Sequence, residues 1–287
     1  MTPSGAPRRG TLLIAAAALL WSTGGLAIKL VPLPALGVVF WRSFVSGVFL
    51  LLVFRPSRQR WRHAAPSTVA VYALMILTFV SATKMTTAAN AIFLQYTGPL
   101  YVLALAPLLL KEPFRRADAA AVGVALLGMS LFFVGRLDSG AFLGNLVAVA
   151  SGLFFGLTIL LLRRDASGDA IPSVIAGNLA AATLALPFAW RTLALDARGV
   201  GLVLFLGIVQ MGISYVLFVK GLKTVPAAEA SLLGMLEPMF NPLWAYLGLG
   251  ERPSAWASVG GAIVLAAVAG RTIFGARGGT ATPPSPD

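Results

Sequence analysis

The sequence predicts an all-α membrane protein of ten transmembrane helices, arranged as two inverted five-helix repeats around a central cavity. Three observations carry that prediction. The chain is 58% hydrophobic and 11% charged, against roughly 25% charged residues in soluble domains, and its apolar residues fall in blocks of about 20, the length that crosses a bilayer as a helix. One segment occurs twice: residues 87–112, TAANAIFLQYTGPLYVLALAPLLLKE, return 139 positions later as PAAEASLLGMLEPMFNPLWAYLGLGE. Lastly, the basic residues sort to one side once ten spans are drawn.

Taken in order, the apolar windows place spans near residues 11–30, 34–54, 67–84, 88–110, 117–135, 141–162, 171–190, 199–219, 227–249 and 255–272. The first follows Arg8 and Arg9 as a signal peptide would, but its apolar run exceeds the usual h-region, which favours an uncleaved helix. Connections between windows are short. The two ends, MTPSGAPRRG and GARGGTATPPSPD, are rich in Gly, Pro, Ser and Thr and are expected to be disordered. Fifteen of the 22 Lys and Arg fall on the side of the N-terminus and seven on the other, Arg42 among the seven. By the positive-inside rule both termini are then cytoplasmic. The repeat boundary divides the chain into residues 1–138 with spans 1–5 and 139–287 with spans 6–10. An odd number of spans per repeat forces the halves into opposite orientations, the geometry that alternating access exploits.

Composition also removes function classes. The chain has no cysteine, so disulfides, thiolate catalysis and Cys-based metal sites are absent. The single histidine, His63, lies in an arginine-rich loop, leaving no intramembrane histidine for proton relay or metal ligation. The net charge of +12 is spread over many short loops, which argues for topology and against nucleic-acid binding. No span holds a Ser–His pair, paired aspartates or a metal-ligand cluster, so no enzyme, cofactor or metal is expected. Neither a filter loop nor rings of like residues point to a channel.

Within the spans, ionisable groups are the first candidates, because burying them in lipid is costly. Only Arg42 in span 2 and Glu237 in span 9 are deep. Two roles are open to them: Glu237 as ligand of a substrate ammonium or a proton with Arg42 near a carboxylate, or both as structural charges bonded to helix ends. Prolines come next. Pro99 and Pro107 in span 4, and Pro238 and Pro242 in span 9, each remove an N–H and free a carbonyl, which at membrane depth must face protein or a wet cavity. Matched breaks at Gly98–Pro99 and at Pro238 with Pro242 are read as parts of a site or gate. Gly234, Glu237, Asn241 and Trp244 share one helical face, and Gln95 and Gly98 occupy the equivalent places in the first copy. Trp21, Tyr96, Tyr101, Phe155 and Tyr215 lie inside spans, away from the interfacial belt. The expected substrate-binding set is Trp21, Gln95, Tyr96, Tyr101, Glu237 and Asn241.

The patterns ALLWSTGGLAIK and FWRSFVSGVFLLL, the AAxA starts of spans 4 and 9, and LEPMFNPLWAYLGLGE resemble the drug/metabolite transporter superfamily, most closely its ten-helix EamA-type exporters. The YddG-type amino-acid exporters of bacterial inner membranes are the nearest match in pattern. That resemblance implies secondary transport out of the cytoplasm by a monomer, through a cavity between the repeats, with spans 5 and 10 peripheral. Small multidrug exporters of the superfamily carry a glutamate in their first helix, and span 1 here has none, so their proton-exchange scheme does not carry over. One deep acid, one deep base, neutral amides and helix-break dipoles suit a zwitterion. Small amino acids are the expected cargo, and lipophilic cations are the alternative.

Overall fold

The computed structural model describes residues 5–132, 141–240, 244 and 255–277. All regular structure among the described residues is helical. The α-helices are α1 (Gly5–Trp21), α2 (Gly24–Leu30), α3 (Ala35–Phe54), α4 (Pro66–Met85), α5 (Ala88–Gln95), α6 (Gly98–Leu109), α7 (Arg116–Phe132), α8 (Phe142–Asp165), α9 (Ile171–Ala189), α10 (Ala197–Leu204), α11 (Ser214–Leu222), α12 (Ala227–Gly234) and α13 (Ala255–Arg277). A π-helical stretch, Phe205–Ile213, joins α10 to α11 without interruption. Seven stretches are long and apolar enough to cross a membrane, from Arg8–Leu30 to Ala197–Leu222. In the windows expected for spans 5, 9 and 10 lie α7 with 17 residues, α12 followed by helical residues 236–240, and α13, whose apolar stretch Ser258–Thr272 is shorter; among the described residues none of the three reaches the length and apolar content of the other seven.

Local chemistry sets the ends. Thr87 accepts the Asn90 N–H at 3.0 Å and so caps α5, and Asp196 does the same for α10 through the Gly199 N–H at 2.7 Å. Pro66 opens α4 at a position where a missing N–H costs nothing. α3 stops at Arg55, held in the left-handed region at φ 40°, with its N–H on the Leu51 carbonyl.

The two copies of the repeated segment break at equivalent places. α5 spans Ala88–Gln95 and α12 spans Ala227–Gly234, the same eight positions 139 apart. Each break precedes its proline, so the prolines do not kink a continuing helix as the sequence implied. Pro99 instead sits in the first turn of α6. A further break separates α1 from α2 at Ser22 and Thr23, whose hydroxyls bond back to the Leu19 and Leu20 carbonyls at 2.6 and 2.7 Å.

Helix pairings repeat in the same way. α4 packs on α8, as α11 packs on α1; α3 packs on the π-helical stretch, as α9 packs on α4; and α5 and α6 pack on α8, as α12 packs on α1. α3 with α9 and α7 with α13 each pair a helix with its own counterpart, and α6 packs on α12, the counterpart of α5. α7 and α13 make their main contact with each other, where a Cβ on Gly128 would lie 2.9 Å from the Gly260 carbonyl oxygen. Large apolar side chains face outward, among them Leu108, Phe142 and Phe188, each at least 76% exposed, whereas Arg42, Gln95, Asn178, Gln210 and Glu237 are buried. This polarity, apolar outside and polar within, is that of a protein solvated by lipid.

Candidate transport chamber

Six aromatic rings from five helices meet inside the bundle. Trp21, at the end of α1, lies 5.0 Å from Tyr215 and 4.9 Å from Phe218 on α11, and 6.3 Å from Phe155 on α8. Tyr72 on α4 stands edge-on to Tyr215 at 4.8 Å, and Tyr96, at the end of α5, stands edge-on to Phe155 at 5.8 Å. Helix breaks supply two of these rings: Trp21 and Tyr96 are the residues at which α1 and α5 stop. The Tyr96 hydroxyl lies 2.7 Å from the Gly234 carbonyl oxygen and 2.8 Å from Glu237 Oε2. The break in one repeat is thereby bonded to the break in the other.

Polar groups enter between the rings. Arg42 on α3 is 4% exposed, and its Nη2 lies 2.7 Å from Met211 Sδ, a weak acceptor. Gln210, beside Met211 on the π-helical stretch, donates through Nε2 to the Trp21 carbonyl at 3.3 Å. Asn178 on α9 donates through Nδ2 to the Tyr72 hydroxyl at 3.1 Å and to the Val174 carbonyl at 2.9 Å. Wider π-helical turns re-aim side chains and occur preferentially at functional sites; here they turn Gln210 and Met211 toward Trp21 and Arg42.

This cluster is short of partners. Among the described residues, Arg42 Nε and Nη1, Trp21 Nε1, Gln210 Oε1, Asn178 Oδ1 and the hydroxyls of Ser43, Ser46 and Thr158 are buried without a hydrogen bond. Such a group costs about 1–3 kcal/mol, and more when charged. No ion pair joins Arg42 to Glu237, although each lies within the other's electrostatic reach. The chamber thus offers unsatisfied donors on a guanidinium and an indole, unsatisfied acceptors on two amides, and aromatic walls.

Of the residues expected from sequence, Trp21, Tyr96, Glu237 and Arg42 come together here. Gln95 is buried but bonded to Ser151 Oγ at 2.9 Å. Tyr101 packs where a Cβ on Gly156 would lie 3.1 Å from its own Cβ. Gly98 faces α8, with its Cβ position 2.9 Å from Phe155 and 3.1 Å from the Gly152 carbonyl oxygen. Asn241 and Pro242 lie outside the described residues. Pro107 lies inside α6 and leaves its turn without an N–H donor. Sequence reasoning missed Tyr72, Asn178 and Gln210. Lone amides in the windows AGNLAAATLAL and FLGIVQMGI fall under the same cost argument that singled out Arg42.

Charged contacts tie the bundle further along. Glu112 accepts from Arg163 Nε at 2.8 Å and from the Ala227 N–H at 2.8 Å, while Arg163 also donates to the Leu222 carbonyl. Asp118 on α7 pairs with Arg271 on α13, both side chains buried. A cavity of about 160 Å³ lies among Glu112, Arg115, Asp118, Arg163 and Arg271. It shares no lining residue with the aromatic cluster. Elsewhere Lys29 Nζ bonds the Thr86 carbonyl at 2.9 Å and Lys84 Nζ the Val31 carbonyl at 3.0 Å.

An all-helical bundle, apolar outside and carrying unpartnered polar groups within, is a multi-pass membrane protein. Comparison with known proteins makes the class specific: a family model, the EamA-like transporter family, matches residues 8–134 and 142–272. The chain belongs to that family. Among its relatives, the uncharacterized transporter YwfM of Bacillus subtilis is 27% identical over 87% of this chain and 89% of its own. The pseudopaline exporter CntI of Pseudomonas aeruginosa is 24% identical over 91% and 94%. The uncharacterized protein PA1977 of the same species is 30% identical over 92% and 98%. A solved crystal structure with 22% identity matches with a TM-score of 0.78, covering 92% of this chain and 97% of that one, which shows a shared fold.

Proposed function

We propose that this protein is a secondary transporter of a bacterial cytoplasmic membrane that exports small amino acids or related metabolites by alternating access. Its halves, residues 1–138 and 139–287, act as two inverted five-helix repeats around the chamber, with both termini in the cytoplasm. The equivalent breaks after Gln95 and Gly234 and the paired helix contacts support the inverted arrangement. The observation that carries the substrate class is the set of unpartnered groups: Arg42 Nε and Nη1 are cationic donors for a carboxylate, and Gln210 Oε1 and Asn178 Oδ1 are acceptors for an ammonium. Glu237, 2.8 Å from the Tyr96 hydroxyl, is the acid of this set. Aromatic walls without a second ionic group accept varied neutral side chains and discriminate among them weakly. The relative named as a pseudopaline exporter supports outward transport.

Purified protein in liposomes, loaded with unlabelled methionine, threonine or phenylalanine, should take up the labelled amino acid by counterflow. Uptake of ethidium-like cations with no amino-acid counterflow overturns this reading in favour of a lipophilic-cation exporter.

A further inference from the structure

Three oxygens, the Tyr96 hydroxyl, the Gly234 carbonyl and Glu237 Oε2, are linked by two contacts of 2.7 and 2.8 Å. A phenol has one proton. If Tyr96 gives it to Gly234, the contact with Glu237 needs a second proton. If Tyr96 gives it to an ionised Glu237, the hydroxyl is left 2.7 Å from a carbonyl oxygen with nothing between. Each contact is a separate two-centre hydrogen bond when Glu237 is a carboxylic acid that donates to Tyr96 while Tyr96 donates to Gly234; an ionised Glu237 leaves one proton shared weakly between two acceptors. The surroundings agree. Glu237 is 7% exposed, and the titratable or charged groups in electrostatic reach of it are Arg42 on α3, Tyr96 on α5 and Tyr215 on α11, with Tyr72 on α4 behind Tyr215. Arg42, the only cation among them, is not paired with it. A neutral acid needs no counter-ion, and it leaves the unpartnered Nε and Nη1 of Arg42 free for an anion.

The position of this proton has a mechanical meaning. Tyr96 is where α5 stops, Gly234 is where α12 stops, and Glu237 lies just beyond that second break. We propose that a proton on Glu237 closes a clasp between the two helix breaks, and that its release opens the clasp and couples transport to proton movement. On release, the carboxyl O–H bond breaks and the proton passes to water on the side to which the chamber is open. The carboxylate left behind takes the ammonium of an incoming substrate as its partner. Proton and substrate amine then compete for one oxygen, so their movements through the chamber are opposed.

The test has two arms, of which the second rests on the amino-acid reading and the first does not. Infrared spectra of the reconstituted protein at neutral pH should contain the C=O stretch of a protonated carboxyl, lost in Glu237→Gln and shifted in Tyr96→Phe. In liposomes, an acidic lumen should drive accumulation of labelled methionine by wild type. Glu237→Gln keeps an N–H donor for Tyr96 and so keeps the fold, which its melting temperature checks, but it should lose gradient-driven accumulation altogether. Absence of the carboxyl band, or its survival unchanged in Glu237→Gln, overturns the proposal whatever the cargo. So does methionine counterflow that ignores the pH gradient, which leaves the amino-acid reading intact. Counterflow of no amino acid at all, with the band present, removes the cargo reading and leaves the clasp standing.

Discussion

Replacing Arg42 by methionine should make the protein more stable and abolish its binding, a pairing of signs that a purely structural arginine cannot give. Arg42 is 4% exposed and keeps Nε and Nη1 unbonded. Each such buried group costs about 1–3 kcal/mol, so removing both returns up to about 2–6 kcal/mol. Lost packing of the side chain and lost contact with Met211 Sδ reduce the net gain to about 1–4 kcal/mol by the same scale. Two charge-assisted hydrogen bonds from the unpartnered Nε and Nη1 to bound substrate contribute about 1.5–3 kcal/mol each. Their loss predicts a fall in affinity of roughly 10²- to 10⁴-fold. Arg42→Lys keeps the charge without the planar fork and should fall between. Thermal unfolding of the purified variant in detergent, with methionine counterflow in liposomes, measures both quantities. An Arg42→Met protein that is less stable than wild type and still transports would refute the reasoning.

Gln210→Leu should likewise gain about 1 kcal/mol or more of stability, because its unbonded Oε1 disappears, and should weaken methionine binding in a direct binding assay. Gly156→Leu should give little folded protein on size-exclusion chromatography, since a Cβ there would already lie 2.7 Å from the Gly98 carbonyl oxygen. The double variant Pro99→Ala, Pro238→Ala should restore N–H donors at both breaks, join the helix segments and slow counterflow while sparing the melting temperature; unchanged rates exclude a gating role for the breaks. Single cysteines placed near Arg60 or Arg115 on this cysteine-free background should resist an impermeant thiol reagent added outside intact cells, and labelling there refutes cytoplasmic loops.

The helical, membrane-spanning character was fully legible because length and apolar content alone determine it, and the repeated AAxA and proline pattern led to the two breaks. The exact breaking residues were not legible. Proline marks the start of the next helix, and the turn falls two or three residues earlier, at Tyr96–Thr97 and Met235. The break at Ser22–Thr23 carries no proline and is marked only by the following Gly24–Gly25, and the π-helical stretch at Phe205–Ile213 has no proline either. Arg42 and Glu237 stood out by their charge, Trp21 and Tyr96 by their depth. Gln95, equally polar, turned out to be satisfied by Ser151, a contact between distant windows that spacing within one helix does not reveal. Tyr72, Asn178 and Gln210 belong to the chamber only because α4, α9 and the π-helical stretch converge, and pairings of that kind are tertiary information.

The central claim, that substrate occupies the aromatic chamber beside Arg42, is tested most directly by Ser46→Cys, which puts the only thiol of the chain at an unpartnered buried hydroxyl one turn from Arg42 on the same face of α3. In a transport-active variant, a small membrane-permeant thiol reagent should modify this cysteine slowly as the chamber opens, and saturating methionine should slow the reaction further. Modification at a rate indifferent to methionine, in a variant that still exchanges methionine, would place the substrate elsewhere and contradict the account.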